Sequence, residues 1–272
     1  MSIGVTDQTT DDALLADEVA WSGRIFSDGW VDAPETIESS EPATGDTLAT
    51  AGVGNAETVA KAAASAARAQ RDWAATPINE RVAVVRRAAE LIERHRAELI
   101  RWLVREGGAI PPKADNEVSA TIGQFDMAAS LISHPLGHLL PSVVPGRTSM
   151  ARRVPIGVVG VICPWNFPLV LAARSVGPAL VLGNAVILKS DPNTPVSGGV
   201  LTARIFEEAG LPGGVLHVMG GGAEVGQAMV EDPNIRMISF TGSTATGRKV
   251  GEAAGRGLKL MVLEMGGNSP LV

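Results

Sequence analysis

Two patterns of apolar and polar positions divide the chain. Between residues 23 and 52, short apolar pieces such as Arg24-Ile25-Phe26 and Trp30-Val31 alternate with Gly, Pro, Ser and Asp, which predicts short strands and turns. Asn55 is placed to cap an alanine-rich helix that runs to about Trp73. Thr76-Pro77 supplies an N-cap and first-turn signal for a second helix. In it, Val84, Ala88, Leu91, Leu99 and Trp102 recur at helical spacing as far as Gly107-Gly108. A third helix is expected from Ala114 to about Leu131. Pro135, Gly137, Pro141, Pro145 and Gly146 then mark a long connection.

Beyond Arg153 the pattern changes. Five short apolar runs, at 158–162, 185–188, 215–218, 237–240 and 258–263, are separated by helical stretches. This β-α-β alternation predicts a parallel sheet with helices on both faces, and such a sheet binds its ligand at the carboxyl ends of the strands. Residues 169–188 are long enough to mimic a membrane span. Arg174, Gly177-Pro178 and Gly183-Asn184 interrupt them, which fits a core helix turning into a buried strand.

Composition narrows the function classes. Hydrophobic residues make up 45% of the 272 positions and charged ones 19%, as in a globular α/β protein. A net charge of −6 gives no general field for nucleic acid or anionic lipid. Cys163 is the only cysteine, so no intrachain disulfide can form and a cytoplasmic address is expected. The first 20 residues are acidic and polar, unlike a secretory signal. His134 and His138 are separated by Pro135 and Gly137 and cannot share one helical face, so no metal site is expected.

The chemistry-bearing residues cluster at strand ends. Pro164-Trp165-Asn166-Phe167-Pro168 follows the first run, and its two prolines fix the turn. The Asn166 amide suits an oxyanion site, or a plain helix cap. Lys189 ends the second run and can donate to a ribose or phosphate oxygen, or stand exposed. Gly220-Gly221-Gly222 with Gly226 resembles a nucleotide loop without being G-x-G-x-x-G. Phe240-Thr241-Gly242-Ser243 joins a strand to a helix, with Ser243 as cap and backbone N–H groups open to an anion. Arg248-Lys249 stands where a P-loop requires Lys-Ser/Thr, so a P-loop is rejected. Glu264, before Gly266-Gly267, can serve as a general base or as a solvated turn residue. Cys163, on an apolar run, reads as a small core hydrophobe with an unactivated thiol. An esterase is unsupported because no G-x-S-x-G elbow is present.

Taken in order, these motifs resemble the aldehyde dehydrogenase superfamily from about Phe26 to Val272. The Gly107-Gly108-Ala109-Ile110-Pro111-Pro112-Lys113 stretch and residues 206–226 are most similar to the aromatic (benzaldehyde-type) members. The expected organisation is a flexible lead at 1–22, strands and helices at 23–153, and, as the resemblance implies, an incomplete Rossmann-like parallel-sheet cofactor domain at 154–272. It implies NAD or NADP as cofactor, a small aldehyde as substrate and a homo-oligomeric complete enzyme. By the same resemblance Asn166 is the oxyanion-hole donor and Glu264 the general base, while Trp165, Lys189, Gly222, Gly226, Phe240, Gly242 and Ser243 hold the dinucleotide. Pro192 stands where an acidic ribose partner is often found, with Asp191 beside it, which leaves the choice of cofactor open. The nucleophilic cysteine implied by the resemblance lies a few dozen residues past the glutamate. The sequence runs only to Val272, so the catalytic domain is expected to be absent and this chain alone inactive. The alternative is a non-catalytic dinucleotide-binding protein.

Overall fold

The computed structural model describes residues 13–270, so most of the expected lead and the last two residues lie outside it. Residues 13–22 are docked rather than loose. Leu14, Leu15 and Trp21 are buried, the last in a short helix α1 (Glu18–Trp21). The Glu98 carboxylate accepts the backbone N–H groups of Leu14 and Leu15 at 2.8 and 3.0 Å.

Four short strands follow as expected: β1 (Arg24–Phe26), β2 (Trp30–Asp32), β3 (Glu35–Ser40) and β4 (Thr47–Val53). Helix α2 (Ala56–Ala75) opens on a reciprocal cap in which Asn55 Oδ1 accepts the Thr58 N–H and Thr58 Oγ1 accepts the Asn55 N–H. The second helix differs from expectation. It is broken at His95 into α3 (Ile78–Arg94) and α4 (Arg96–Arg105). No Gly or Pro marks the break, and the apolar spacing continues across it. Thr76 does not cap α3; its hydroxyl donates back to the Asp72 carbonyl and closes α2. The third helix, α5 (Pro111–Ser130), starts earlier than Ala114, because both prolines are accepted in its first turn where no N–H partner is needed. The long connection is not irregular throughout. It folds into an antiparallel ribbon of β5 (Gly137–Leu140) and β6 (Ser149–Arg152), whose sparse burial leaves no alternating pattern to read.

The second half forms the parallel sheet: β7 (Val158–Ile162), α6 (Pro168–Val181), β8 (Ala185–Ser190), α7 (Leu201–Glu208), β9 (Leu216–Gly220), α8 (Ala223–Glu231), β10 (Ile235–Gly242), α9 (Thr244–Arg256) and β11 (Leu260–Met265). A π-helical turn at Val196–Val200 leads into α7. Helix α6 continues through Gly177-Pro178, where a Cβ at 177 would lie 2.9 Å from the Phe125 ring; glycine lets α5 and α6 approach. Strand β11 begins at Leu260 rather than Leu258, which has φ +49°. Glu264 is therefore inside the strand, paired in register with Thr241, rather than after it.

The strand order is β11-β10-β7-β8-β9-β1-β2, with β4 also beside β9 and β3 beyond it. β7 through β11 run parallel, and β1 joins antiparallel. From β7 the chain builds outward through β8 and β9, then returns to β7's other side with β10 and β11. That reversal opens a crevice at the carboxyl ends of β7 and β10. Alternation along β7 sends Val159, Val161 and Cys163 into a core with α3–α7, and Val158 and Ile162 into a second core with α2, α8 and α9. Among the described residues, no helix is long and apolar enough to cross a membrane.

Polar groups tie the layers together. Glu106, 1% exposed, accepts from Ser39 Oγ (2.6 Å), Val196 N (2.9 Å), Ser197 N (2.6 Å) and the Ser197 hydroxyl, joining β3, the end of α4 and the π-helical turn. Burial pushes its carboxyl above the ordinary range, while these donors pull it back. Buried Arg81 donates to carbonyls at the ends of α2 and α6, among them Val181 O at 2.9 Å. Buried His217 is bracketed by Ser27 Oγ at Nδ1 (2.8 Å) and the Gly214 carbonyl at Nε2 (3.1 Å), so Nε2 carries the proton.

Glu106→Ala strands the donors that met the carboxylate and should cost at least about 3 kcal/mol in urea unfolding, against about 1 kcal/mol for loss of the Asn55 cap in Asn55→Ala. Equal losses would contradict this ranking. Burial lowers the His217 pKa. The unfolded chain therefore takes up a proton near pH 6.5 that the fold resists. This contribution is complete above that pH and lost as pH falls towards the folded pKa. The fall in melting temperature between pH 7.5 and 5.5 should thus be smaller in His217→Gln.

Candidate functional site

Three strand ends meet at the reversal of the sheet. The turn after β7 brings Trp165 and Asn166, the end of β10 brings Thr241, Gly242 and Ser243, and β11 brings Glu264. Together they line an open cleft of about 520 Å³. Asn166 and Glu264, both exposed, stand on its walls with Arg174 of α6, which also donates to Thr241 Oγ1 at 3.3 Å. A neighbouring, largely apolar cleft of about 410 Å³ shares Arg174 and Glu264 and continues over Pro178, Leu182 and Val262. Arg174 was recognisable only as a lone charge within an apolar stretch.

The Asn166 turn is held from behind by two residues that the sequence reading did not single out for this. Glu117, with no exposed surface, accepts the first-turn N–H groups of α6, Leu169 at 2.9 Å and Val170 at 3.4 Å. Its other oxygen receives Lys113 Nζ at 2.6 Å. The same ammonium donates to the Asn166 carbonyl at 2.7 Å and lies 4.1 Å from the centre of the Phe167 ring. The sequence signal was an i, i+4 Lys–Glu pair on α5, indistinguishable from a surface pair.

Ser243 caps α9, its Oγ accepting the Thr246 N–H at 3.2 Å. Gly242 is required for space, since a Cβ there would lie 2.6 Å from the Phe240 ring. Phe240 itself does not face the cleft. Its ring is buried beneath Gly242, because strand alternation turns it into the second core.

Lys189, Gly222 and Gly226 form a separate station at the ends of β8 and β9. Lys189 is 6% exposed, and Nζ donates to the Ser190 carbonyl at 2.9 Å and to the Gly221 carbonyl. Burial draws its ammonium below the ordinary lysine range, opposed by Asp191. Gly221 has φ +157°, Gly222 is the N-cap of α8, and Gly226 leaves the lysine stem 3.8 Å from where a Cβ would be. Asp191 turns away: its Oδ1 accepts both the backbone and side-chain N–H groups of Asn193, at 3.0 and 2.9 Å. Trp165, 53% exposed, borders both the Asn166 cleft and a cleft of about 800 Å³ lined by Glu106, Pro192, Asn193 and Thr194. Glycine backbone, helix N-termini and a buried lysine fit a phosphate-bearing nucleotide.

Cys163 is 4% exposed and its thiol is pushed up to about 12 by burial, which matches the core reading. Among the described residues no three His, Cys, Asp or Glu side chains cluster to hold a metal ion.

Residues 30–272 match the model of the aldehyde dehydrogenase family. The chain is 57% identical to a vanillin dehydrogenase of an Amycolatopsis species, over 94% of this chain and 53% of that protein. It is 54% identical to an NAD+ benzaldehyde dehydrogenase of Pseudomonas putida, over 92% and 51%. The crystal structure of an NAD-dependent benzaldehyde dehydrogenase from Corynebacterium glutamicum superposes with a TM-score of 0.87 at 43% identity, covering 91% of this chain and 55% of that one. The chain thus spans about half the length of the relatives it matches. With the family match running over residues 30–272 and 91% of the chain superposing on a solved relative, the chain belongs to the aldehyde dehydrogenase family.

Proposed function

We propose that this chain supplies the dinucleotide-binding half of an enzyme that oxidises an aldehyde, aromatic in kind, to its carboxylic acid with NAD or NADP. One observation carries the reading: Asn166, Ser243 and Glu264 converge on a single cleft at the sheet's reversal point. Relatives named for vanillin and benzaldehyde support the aromatic substrate class.

In this reading the Asn166 amide donates to the aldehyde oxygen as negative charge builds on it, a contribution of about 3–4 kcal/mol for one such donor. Lys113 and Glu117 keep the turn from yielding. Trp165, Lys189, Gly222, Gly226, Gly242 and Ser243 hold the dinucleotide, and Phe240 supports Gly242 from below. A bound oxidised nicotinamide would supply the hydride acceptor, once a nucleophile supplied from outside these residues has added to the aldehyde carbon. Glu264 would then take a proton from the water that displaces that nucleophile and releases the acid. Cys163 is not the nucleophile, since its buried thiol faces the core. That observation favours a narrower reading for these residues by themselves, namely dinucleotide binding without turnover. A cytoplasmic location and a homo-oligomeric complete enzyme belong to the same proposal. The β5–β6 ribbon, with Leu139 and Met150 more than half exposed, offers apolar surface for association.

Glu264→Gln in the complete enzyme should leave dinucleotide binding in place and slow acid formation by about 10²–10⁴-fold. Unchanged turnover would remove the role. Iodoacetamide at pH 8 should leave Cys163 unlabelled in the folded protein and label it fully in denaturant, as mass spectrometry would show. Rapid labelling of the folded protein would mean an accessible thiol and reopen the question of the nucleophile.

A further inference from the structure

The Lys113 ammonium meets three groups, and two of them belong to consecutive residues of the cleft wall. It donates to buried Glu117 at 2.6 Å and to the Asn166 carbonyl at 2.7 Å. Beside these stands the Phe167 ring, whose centre is 4.1 Å from Nζ. Asn166 and Phe167 both line the cleft of about 520 Å³ that Glu264 shares, and Lys113 does not. The charge therefore acts on that space through the amide residue and the aromatic one. Its own place is fixed. Lys113 sits in the first turn of α5 behind Pro111 and Pro112, and the Glu117 carboxylate that holds it is pinned to the first turn of α6.

We propose that Lys113 is a positioning residue that gives the site its preference for aryl aldehydes, by holding the oxyanion amide and the aromatic wall in one arrangement. The inference rests on the aldehyde-oxidising reading above and names a residue that sets its substrate class. Asn166 acts on the aldehyde oxygen, which every aldehyde has. Phe167, next in the chain and on the same wall, offers a flat ring from which an aryl group gains more than a short alkyl group. A phenyl ring has no hydrogen bond to fix its rotation, and the ammonium supplies a directional contact instead. The cation also draws on the ring's electron density, so the ring repels a stacked aryl group less.

The test compares kcat and KM of the complete enzyme for benzaldehyde and for propanal, in the parent, Lys113→Met and Lys113→Arg, each after a cooperative melt. Lys113→Met should lower kcat for both aldehydes by about tenfold as the Asn166 amide loses its support. It should also lower the benzaldehyde-to-propanal ratio of kcat/KM by about fivefold. A general loss of structure would lower both aldehydes alike and leave that ratio unmoved. Lys113→Arg keeps a cation that can donate to the carbonyl and lie on the ring, and should hold the ratio within about twofold of the parent. If Lys113→Met, with Glu117 left unpaired, fails to melt cooperatively, the double variant Lys113→Met/Glu117→Gln carries the comparison, since it keeps an acceptor for the α6 amides. An unchanged ratio in the folded neutral variant, or one lowered as far in Lys113→Arg, would overturn the assignment to Lys113 while leaving aldehyde oxidation standing. A complete enzyme that turns over neither aldehyde removes the broader reading and this one with it.

Discussion

Buried glutamates that accept backbone N–H groups tie the helices to one another and to the segments packed around them. Glu98, Glu106 and Glu117 are each at most 8% exposed, and each meets amides that no regular secondary structure satisfies. Glu98 takes the start of the described chain, Glu106 the π-helical turn before α7, and Glu117 the first turn of α6. A carboxylate is the right group for this, since one side chain can receive several donors and the helix N-terminus adds a favourable field. An amide left without a partner at any of these points would carry the full cost of its desolvation.

The cleft inherits its geometry from this arrangement. Asn166 is exposed and belongs to a turn, a place where side chains are normally free to wander. Here the turn is bounded by two prolines, its carbonyl is fixed by Lys113, and the helix after it is capped by Glu117. Across the cleft, Glu264 is anchored by register with Thr241, and the β10–α9 turn is closed by Ser243. Rigid supports thus surround a solvent-accessible space, which is what preorganised chemistry requires.

Much of this was legible in the sequence. The strand at Val158–Ile162 matches its apolar run to the residue, and the Asn55 cap is where a side-chain acceptor before an alanine run belongs. The residues lining the cleft were legible because glycine, proline and single polar side chains at strand ends stand out against apolar runs. The supports were not. Glu117 sits 52 residues from the amide it caps, and nothing local distinguishes it from a surface glutamate. Phe240 was expected at the dinucleotide, and nothing in the sequence shows that its ring is buried beneath Gly242 in the second core. The break at His95 and the docking of Leu14 and Leu15 depend on long-range contacts with no local marker.

The position of β9 in the sheet has a kinetic consequence. Its neighbours include β1 and β4, from the first fifth of the chain, and Ser27 bonds to His217 across 190 residues. During synthesis β1 and β4 emerge with only β2 and β3 to pair with, long before β9 exists. Each must wait, with the edge that meets β9 unpaired, until the third parallel strand has been made. Closing so large a loop costs entropy before any contact repays it, so this sheet should assemble slowly and after most of the chain is released. For this molecule, the interval between emergence and closure is when the nascent chain is most exposed to aggregation.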